Sequence, residues 1–139
     1  MIYLLDTNTC IGYINRRSPA IYQHFLAVSP DDVCICDVVK FELYYGAYKG
    51  SRTTENLQIL NNFFADLTSL PFEAKAAQIC GQIRAKLQAK GTPIGAYDLQ
   101  IAAAERISKR IALANNLTLI THNTREFERV ENLRLEDWE

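Results

Sequence analysis

A short apolar run that ends in a carboxylate begins the chain: Ile2-Tyr3-Leu4-Leu5 leads directly into Asp6, Thr7 and Asn8. An unbroken apolar run of this length is typical of a strand buried on both faces, which occurs mainly in parallel sheets. An acid at its end lies at the carboxyl edge of the sheet, where open α/β folds bind ligands. We therefore predict that Asp6 founds an acidic metal site, completed by Glu42, Asp98 and Asn123.

Composition restricts the class of protein. The chain has 139 residues, of which 48% are hydrophobic and 22% charged, and its net charge is −1. These values are ordinary for a globular protein of this length, so we predict one domain over residues 1–139. No apolar run approaches the ~20 residues of a membrane span, and the start of the chain lacks a signal-peptide pattern. We expect a cytoplasmic protein with no membrane contact.

The four cysteines do not indicate a disulfide framework or a zinc site. Cys34 and Cys36 alternate within a short apolar run, whereas Cys10 and Cys80 lie far apart in the chain. With only two histidines, ligands at zinc spacing are missing. We expect reduced thiols, buried like small apolar side chains.

Strand and helix patterns alternate along the chain. Pro71 confines the extended segment around it to a sheet edge or a strand end. The predicted strands cover residues 2–5, 33–36, 68–72, 117–121 and 133–135, and the predicted helices cover residues 9–16, 19–28, 54–66, 73–90 and 96–114, with a further helix capped by Asp37. This alternation predicts an α/β fold with three layers, α/β/α, around a mainly parallel central sheet.

In such a fold, strand ends and helix starts meet at one edge of the sheet. Asp6, Glu42 and Asp98 would gather there and repel one another unless a divalent cation lay between them. Oxygen ligands without His or Cys favour Mg²⁺ or Mn²⁺ over zinc, and such a metal suits phosphodiester hydrolysis. Structural roles stay open for each residue: Asp6 as a helix cap, Asp98 as a first-turn acid, Glu42 as a side chain reaching water, and Asn123 as a turn residue.

Four blocks of the sequence resemble the signature blocks of PIN domains, and more narrowly those of VapC-type toxins, the ribonuclease half of bacterial toxin–antitoxin pairs. The blocks are residues 4–8, 41–46, 96–103 and 119–127, in this order along nearly the whole chain. The ending at residues 127–130 and 133–138 is similar to the branch that cuts initiator tRNA.

The resemblance implies functions for particular residues. Asp6, Glu42 and Asp98 would hold Mg²⁺, with Mn²⁺ as a substitute, and Thr121 and Asn123 would orient water or the acids, with Asn8 in a supporting role. It also implies an endoribonuclease that cuts tRNA, most closely initiator tRNA in its anticodon region. The partners would be a second copy of the chain, the RNA, and a cognate VapB-type antitoxin whose tail enters the active-site groove.

Two features depart from the family pattern. Asn123 stands where many PIN domains have a fourth acid, which puts a second metal in question, although Glu126 one turn on could take that place. Residues 104–110 look like an insertion of about two helical turns, which would make the helix project past the sheet or break near Ser108.

Two other functions remain open. A PIN-like protein weakened in catalysis would bind antitoxin or RNA without turnover. A phosphatase of the haloacid dehalogenase type would use Asp6 as a nucleophile, but Asn8 stands where that family has a second acid.

Overall fold

A computed structural model describes residues 2–110 and 117–139, with the side chains of 106–110 excepted. Its central sheet has five strands in the order β3-β2-β1-β4-β5, and every pair of neighbours is parallel. The strands are β1 (Tyr3–Leu5), β2 (Val33–Cys36), β3 (Thr68–Leu70), β4 (Thr118–Ile120) and β5 (Leu135–Glu136). The α/β prediction with a parallel sheet is therefore confirmed.

Seven helices connect and cover the strands in the described part of the chain. They are α1 (Thr7–Ile14), α2 (Pro19–Ala27), α3 (Asp37–Lys49), α4 (Thr53–Ala65), α5 (Ala74–Ala89), α6 (Ala96–Arg110) and α7 (Thr124–Phe127), and a short 3₁₀ turn covers Pro30–Asp32. Each parallel connection needs a crossover, and the helices fill these crossovers on both faces of the sheet.

The inner strands are buried on both faces, as their unbroken apolar sequence predicts. All four residues of β2 are buried, and so are Leu4 and Leu5 in β1. The edge strand β3 is only partly covered, in agreement with the restriction that Pro71 imposes. The core formed in this way fixes the carboxyl ends of β1, β2 and β4 at one edge.

The cysteines are free thiols, and Cys10, Cys34 and Cys36 are buried whereas Cys80 is partly exposed. Burial raises the pKa of Cys34 to about 12 and that of Cys36 to about 11, because the thiolate would lose its hydration. The thiols are packing residues.

The local details differ from the sequence prediction at three helix starts. α1 begins at Thr7, two residues before its predicted start at residue 9, and Asp6 caps it, which is one of the roles that the sequence left open for this residue. Asp37 is the first residue of α3 rather than its cap, and α7 was missed because four residues are too few to show a helical period. The predicted extension of α6 over 111–114 lies outside the described residues.

The end of the chain is anchored in the core by Trp138, which is 2% exposed. Its ring lies edge-on to Tyr3 with a centroid distance of 5.3 Å and stacks on His24 at 5.4 Å. This packing keeps β5 against β4, beside the edge where the candidate site lies. Among the described residues, no helix is long and apolar enough to cross a membrane.

Candidate metal centre

Asp6 lies at the middle of the carboxyl edge, where the chain leaves the central strand β1 and enters α1. Its side chain is buried, with 5% of the residue exposed. One carboxylate oxygen, Oδ1, accepts a hydrogen bond from the backbone N–H of Thr9 at 2.8 Å, and Oδ2 accepts one from the hydroxyl of Thr121 at 2.5 Å. The capping role and a role as a ligand are therefore compatible, since each oxygen retains a lone pair.

Thr121 connects Asp6 to the loop after β4. Its hydroxyl has one proton, which it donates to Asp6, and the same oxygen accepts a hydrogen bond from the backbone N–H of Asn123 at 2.9 Å. Thr121 is fully buried, so these bonds are protected from competition with water. A single hydroxyl thus sets the position of Asn123 relative to Asp6.

Glu42 reaches the same edge from α3, the helix that follows β2. Its Oε1 accepts a hydrogen bond from the hydroxyl of Thr7 at 2.8 Å. The side chain is half-buried, and it is held against the start of α1 next to Asp6.

Asp98, in the first turn of α6, belongs to a chain of polar contacts with Asn123 and Glu126. The amide nitrogen of Asn123 donates to Oδ2 of Asp98 at 3.3 Å and to Oε2 of Glu126 at 2.9 Å. Oε1 of Glu126 accepts from the backbone N–H of Gly95 at 2.6 Å. Glu126 therefore lies beside Asp98 and is fastened to the loop that precedes α6.

Burial and the neighbouring negative charges both disfavour the ionised form of Asp98. Its pKa is raised from 3.8 to about 6, first by burial and then by the negative charge of Glu126. The charges of Asp6 and Glu42 add to the rise. The pKa of Glu126 is lowered, because Asn123 and Gly95 donate hydrogen bonds to its ionised form. Of this neighbouring pair, Asp98 holds a proton the more readily.

Within the described part of the chain, none of Asp6, Glu42, Asp98 and Glu126 forms an ion pair with a Lys or Arg side chain. The charge of Arg129 contributes to the lowered pKa of Glu126 without forming such a pair. The cluster therefore keeps an excess of negative charge, which binding of a divalent cation would relieve.

The spacing of these carboxylates has a consequence for the kind of metal. Among the described residues, His122, Asp137 and Glu139 have three possible ligand atoms within 4.8 Å of one another. No three of the described acids at the sheet edge have carboxylate oxygens that close together. Mg²⁺ retains several water ligands and needs only one or two carboxylates, so a loose set of oxygen donors suits it. The donor set is compatible with Mg²⁺ or Mn²⁺ and unsuited to zinc, which prefers N and S ligands.

The predicted site residues do not all occupy equivalent positions. Asp6, Glu42, Asp98, Asn123 and Thr121 meet at the edge, whereas Asn8 is exposed on α1 and makes no side-chain hydrogen bond within the described residues. Asn8 instead lines a cleft beside the acids. The sequence left Glu126 as an alternative to Asn123, and the structure brings both to Asp98. Asn123 and Glu126 are three residues apart, about one helical turn, and this spacing was the sign in the sequence that both side chains could reach the same acid.

Comparison with known proteins agrees with this architecture. The profile of the PIN domain matches residues 3–133. The tRNA(fMet)-specific endonuclease VapC of Salmonella typhimurium is 39% identical over 136 residues, which cover 98% of this chain and 97% of that protein. Ribonuclease VapC2 of Rickettsia felis is 37% identical over 140 residues, covering 100% of this chain and 99% of that protein.

Solved structures of similar sequence have the same fold over nearly the whole chain. The crystal structure of DNA-bound VapBC from Salmonella typhimurium matches with a TM-score of 0.85 at 38% identity, covering 99% of this chain and 98% of that chain. VapBC2 from Rickettsia felis, bound to a DNA fragment from its promoter, matches with a TM-score of 0.84 at 36% identity, covering 100% of both chains.

The helix α6 continues through Ser108 to Arg110, so the break near Ser108, one of the two outcomes expected of an insertion at residues 104–110, does not occur. The insertion itself stays a prediction. The match over residues 3–133 and the relatives that align over nearly the whole chain show that the chain belongs to the PIN domain family.

Proposed function

We propose that this protein is a Mg²⁺-dependent RNA endonuclease, with Mn²⁺ as a substitute, and the toxin of a toxin–antitoxin pair. The observation that carries the proposal is the carboxylate cluster at the sheet edge, in which burial and the charges of three other acids raise the pKa of Asp98. The relatives over the whole chain are named ribonucleases and endonucleases, which supports the nuclease class.

Asp6 and Asp98 are the direct metal ligands in this proposal, and Glu42 completes the set. A divalent ion held there would bind a phosphate oxygen and lower the pKa of a bound water. The protein's own residues do the positioning: Thr121 and the N–H of Thr9 fix the carboxylate of Asp6, and Asn123 fixes that of Asp98.

The substrate proposed is tRNA, and initiator tRNA cut in the anticodon region is the first candidate. Its support is the similarity to a relative named for tRNA(fMet), which extends over 98% of the chain. We place the protein in the cytoplasm as a single PIN domain over residues 1–139 and as a homodimer. A VapB-type antitoxin would inhibit it, since solved relatives are VapBC complexes.

Cleavage of total tRNA by the intact protein, with the cut sites mapped, tests this proposal. In Mg²⁺, the wild-type protein should cut a small set of tRNAs, and Asp98→Asn should lower the rate at least ~100-fold, because one charge is removed from the metal site. Asp6→Asn should do the same while retaining the helix cap, since the amide oxygen still accepts from Thr9.

Asp6→Ala is compared with Asp6→Asn to separate the two roles of this residue. The alanine variant loses the helix cap as well as the charge, so it should be less stable than the asparagine variant by ~1 kcal/mol. Metal-dependent cleavage that persists in both asparagine variants would refute the assignment of the site.

A binding protein without turnover is the second candidate. It is favoured by one observation: the amide of Asn123 donates to both Asp98 and Glu126 and so takes the place that a fourth acid or a second metal would have. Tight antitoxin binding by the wild-type protein, with no cleavage of a broad RNA panel in Mg²⁺ or Mn²⁺, would establish it. Asn123→Asp should then restore cleavage.

A further inference from the structure

A polar cleft adjoins the acidic edge on the side of β5. Its volume is about 320 Å³, at the low end of the range for ligand-sized clefts. Asn8 and Asn123 line it, and Asn123 also touches Asp98. The cleft and the carboxylates therefore meet at Asn123, so a ligand in the cleft would lie next to the acids.

Arg17 contributes a cation to the cleft. It lies in the turn between α1 and α2, where Arg16 takes the left-handed backbone conformation with φ of 50° and the N–H of Arg17 bonds to the carbonyl of Gly12 at 3.1 Å. The backbone of Arg17 is thus fixed, whereas its guanidinium makes no hydrogen bond or ion pair with any described residue. A guanidinium left in this state presents its full set of donors to a phosphate.

The other ionisable groups that line the cleft are in contact with one another. Nδ1 of His122 lies 2.9 Å from Oδ2 of Asp137 and 3.0 Å from Oε2 of Glu139. Nδ1 of the imidazole is thereby held between the two carboxylates, which leaves this group with an excess of negative charge. Arg17 is therefore the cation in the cleft lining that makes no ion pair with a described residue.

The wall of the cleft is rigid on the side of the chain end. Trp138 lines it and is held in the core against Tyr3 and His24. The backbone N–H of Glu139 bonds to Oδ1 of Asp137 at 2.9 Å, which fixes that carboxylate as well. A preformed cleft needs little ordering when a ligand binds.

We propose that this cleft is a substrate subsite that holds the nucleotide next to the cleaved bond, with Arg17 binding a phosphate of the RNA and the amides of Asn8 and Asn123 contacting the nucleotide. The inference rests on the proposed ribonuclease function, and it adds a substrate-binding residue outside the carboxylate cluster. Arg17 touches substrate in this arrangement but takes no part in bond cleavage.

Binding of a labelled single-stranded RNA, copied from the cleaved anticodon loop, tests the subsite. The measurement is made in EDTA on Asp98→Asn protein, so that neither cleavage nor metal contributes. Adding Arg17→Gln should weaken binding about tenfold, as expected for loss of one charge-assisted contact. The slope of log K against log salt should become shallower by about 0.7, the value for one phosphate contact on a single strand.

Two variants serve as controls. Arg17→Lys retains the charge but not the fork of donors, so it should retain the salt slope and lose part of the affinity. Arg52→Gln removes an exposed arginine outside the cleft, whose ion pair is with Glu55 at 3.9 Å, and it should change neither quantity. In active protein, Arg17→Gln should raise KM about tenfold and leave kcat nearly unchanged, since a contact made equally in ground and transition states affects binding alone.

Failure of the subsite and failure of the proposed function give different results. If wild-type protein cleaves RNA and Arg17→Gln matches it in affinity, salt slope and KM, the subsite is wrong and the nuclease function stands. If Arg17→Gln weakens antitoxin binding alone, the cleft belongs to a protein partner and the inference is overturned. If wild-type protein neither binds nor cleaves any RNA, both proposals are wrong.

Discussion

The carboxyl group of Asp98 is half-buried beside Glu126 and within the field of two further acids. Burial removes water from its charged form, and the neighbouring negative charges oppose ionisation, so its pKa rises from 3.8 to about 6. The nearby amide of Asn123 donates to Oδ2, but it also donates to Glu126 and does not offset the repulsion. Without metal, an ionised Asp98 therefore destabilises the folded state.

The direction of the pH effect follows from linkage. The folded-state pKa of Asp98 lies above that of the unfolded chain, so the folded state binds the proton more tightly. Its contribution to stability is fully present below pH ~3.8, falls as the pH rises through about 6, and is lost above that value. Above pH 6 the metal-free protein holds an unfavourable charge.

Asp98→Asn should therefore stabilise the metal-free protein at pH 7.5 and have little effect at pH 4. A two-unit shift corresponds to about 3 kcal/mol, but partial exposure screens the charges, and we expect about 1 kcal/mol, or roughly 3 °C in Tm. Thermal melting in EDTA at both pH values measures this. If Asp98→Asn lowered the stability equally at both pH values, Asp98 would be a residue that stabilises the fold and not an acid whose ionised form destabilises it.

At the scale of elements, two side chains from the segment after β4 hold the loop before α6. Glu126 on α7 accepts from the N–H of Gly95 at 2.6 Å, and Arg129 donates from Nη1 to the carbonyl of Pro93 at 2.7 Å. The loop leads into α6, whose first turn carries Asp98. Residues from two distant parts of the chain thus set the distance between Asp98 and the β1–β4 side of the site.

Arg129→Ala should loosen this loop and weaken metal binding more than folding. We expect the Mg²⁺ concentration for half-maximal cleavage to rise about fivefold, because the position of Asp98 becomes less fixed, while stability falls by under ~1 kcal/mol, as for an exposed hydrogen bond. Arg125→Ala, four residues earlier on α7, is the matched control, since Arg125 is exposed and its side chain makes no hydrogen bond with a described residue. If cleavage by the two variants depended on Mg²⁺ concentration in the same way, Arg129 would not be holding the loop before α6 in place.

At the scale of the whole molecule, the last residues close the sheet next to the site. Trp138 packs against Tyr3 of the central strand and against His24 of α2, and its Nε1 donates to Oε1 of Glu136 at 3.0 Å. One side chain therefore joins β1, β5 and α2. Its burial also fixes Asp137 and Glu139 at the cleft.

Trp138→Ala should cost about 3 to 5 kcal/mol of unfolding free energy, the usual range for removing a buried aromatic side chain. Trp138→Phe should cost much less, because the ring against Tyr3 is largely retained. Urea denaturation of both variants measures the difference. A loss below ~1 kcal/mol for the alanine variant would mean that the chain end is only loosely attached to the core.

The sequence by itself determined the secondary structure elements and indicated which acids meet at the edge of the sheet. Apolar runs and helical periods report burial within a few residues, which is why the parallel sheet, α5 and the strand-end position of Asp6 could be predicted. Glu42 and Asp98 follow, since strand ends and helix starts share one edge in such a fold.

The tertiary structure decided which groups touch. Thr121 bonds to Asp6 across 115 residues of sequence, and Asn123 bonds to Asp98 across 25, at distances that no local period encodes. Packing of α1 and α6 against the sheet that contains β4 fixes these contacts. Two further features depend on that packing and were visible only in the folded chain. They are the position of Glu126 beside Asp98 and the guanidinium of Arg17, which lines a cleft without a partner among the described residues.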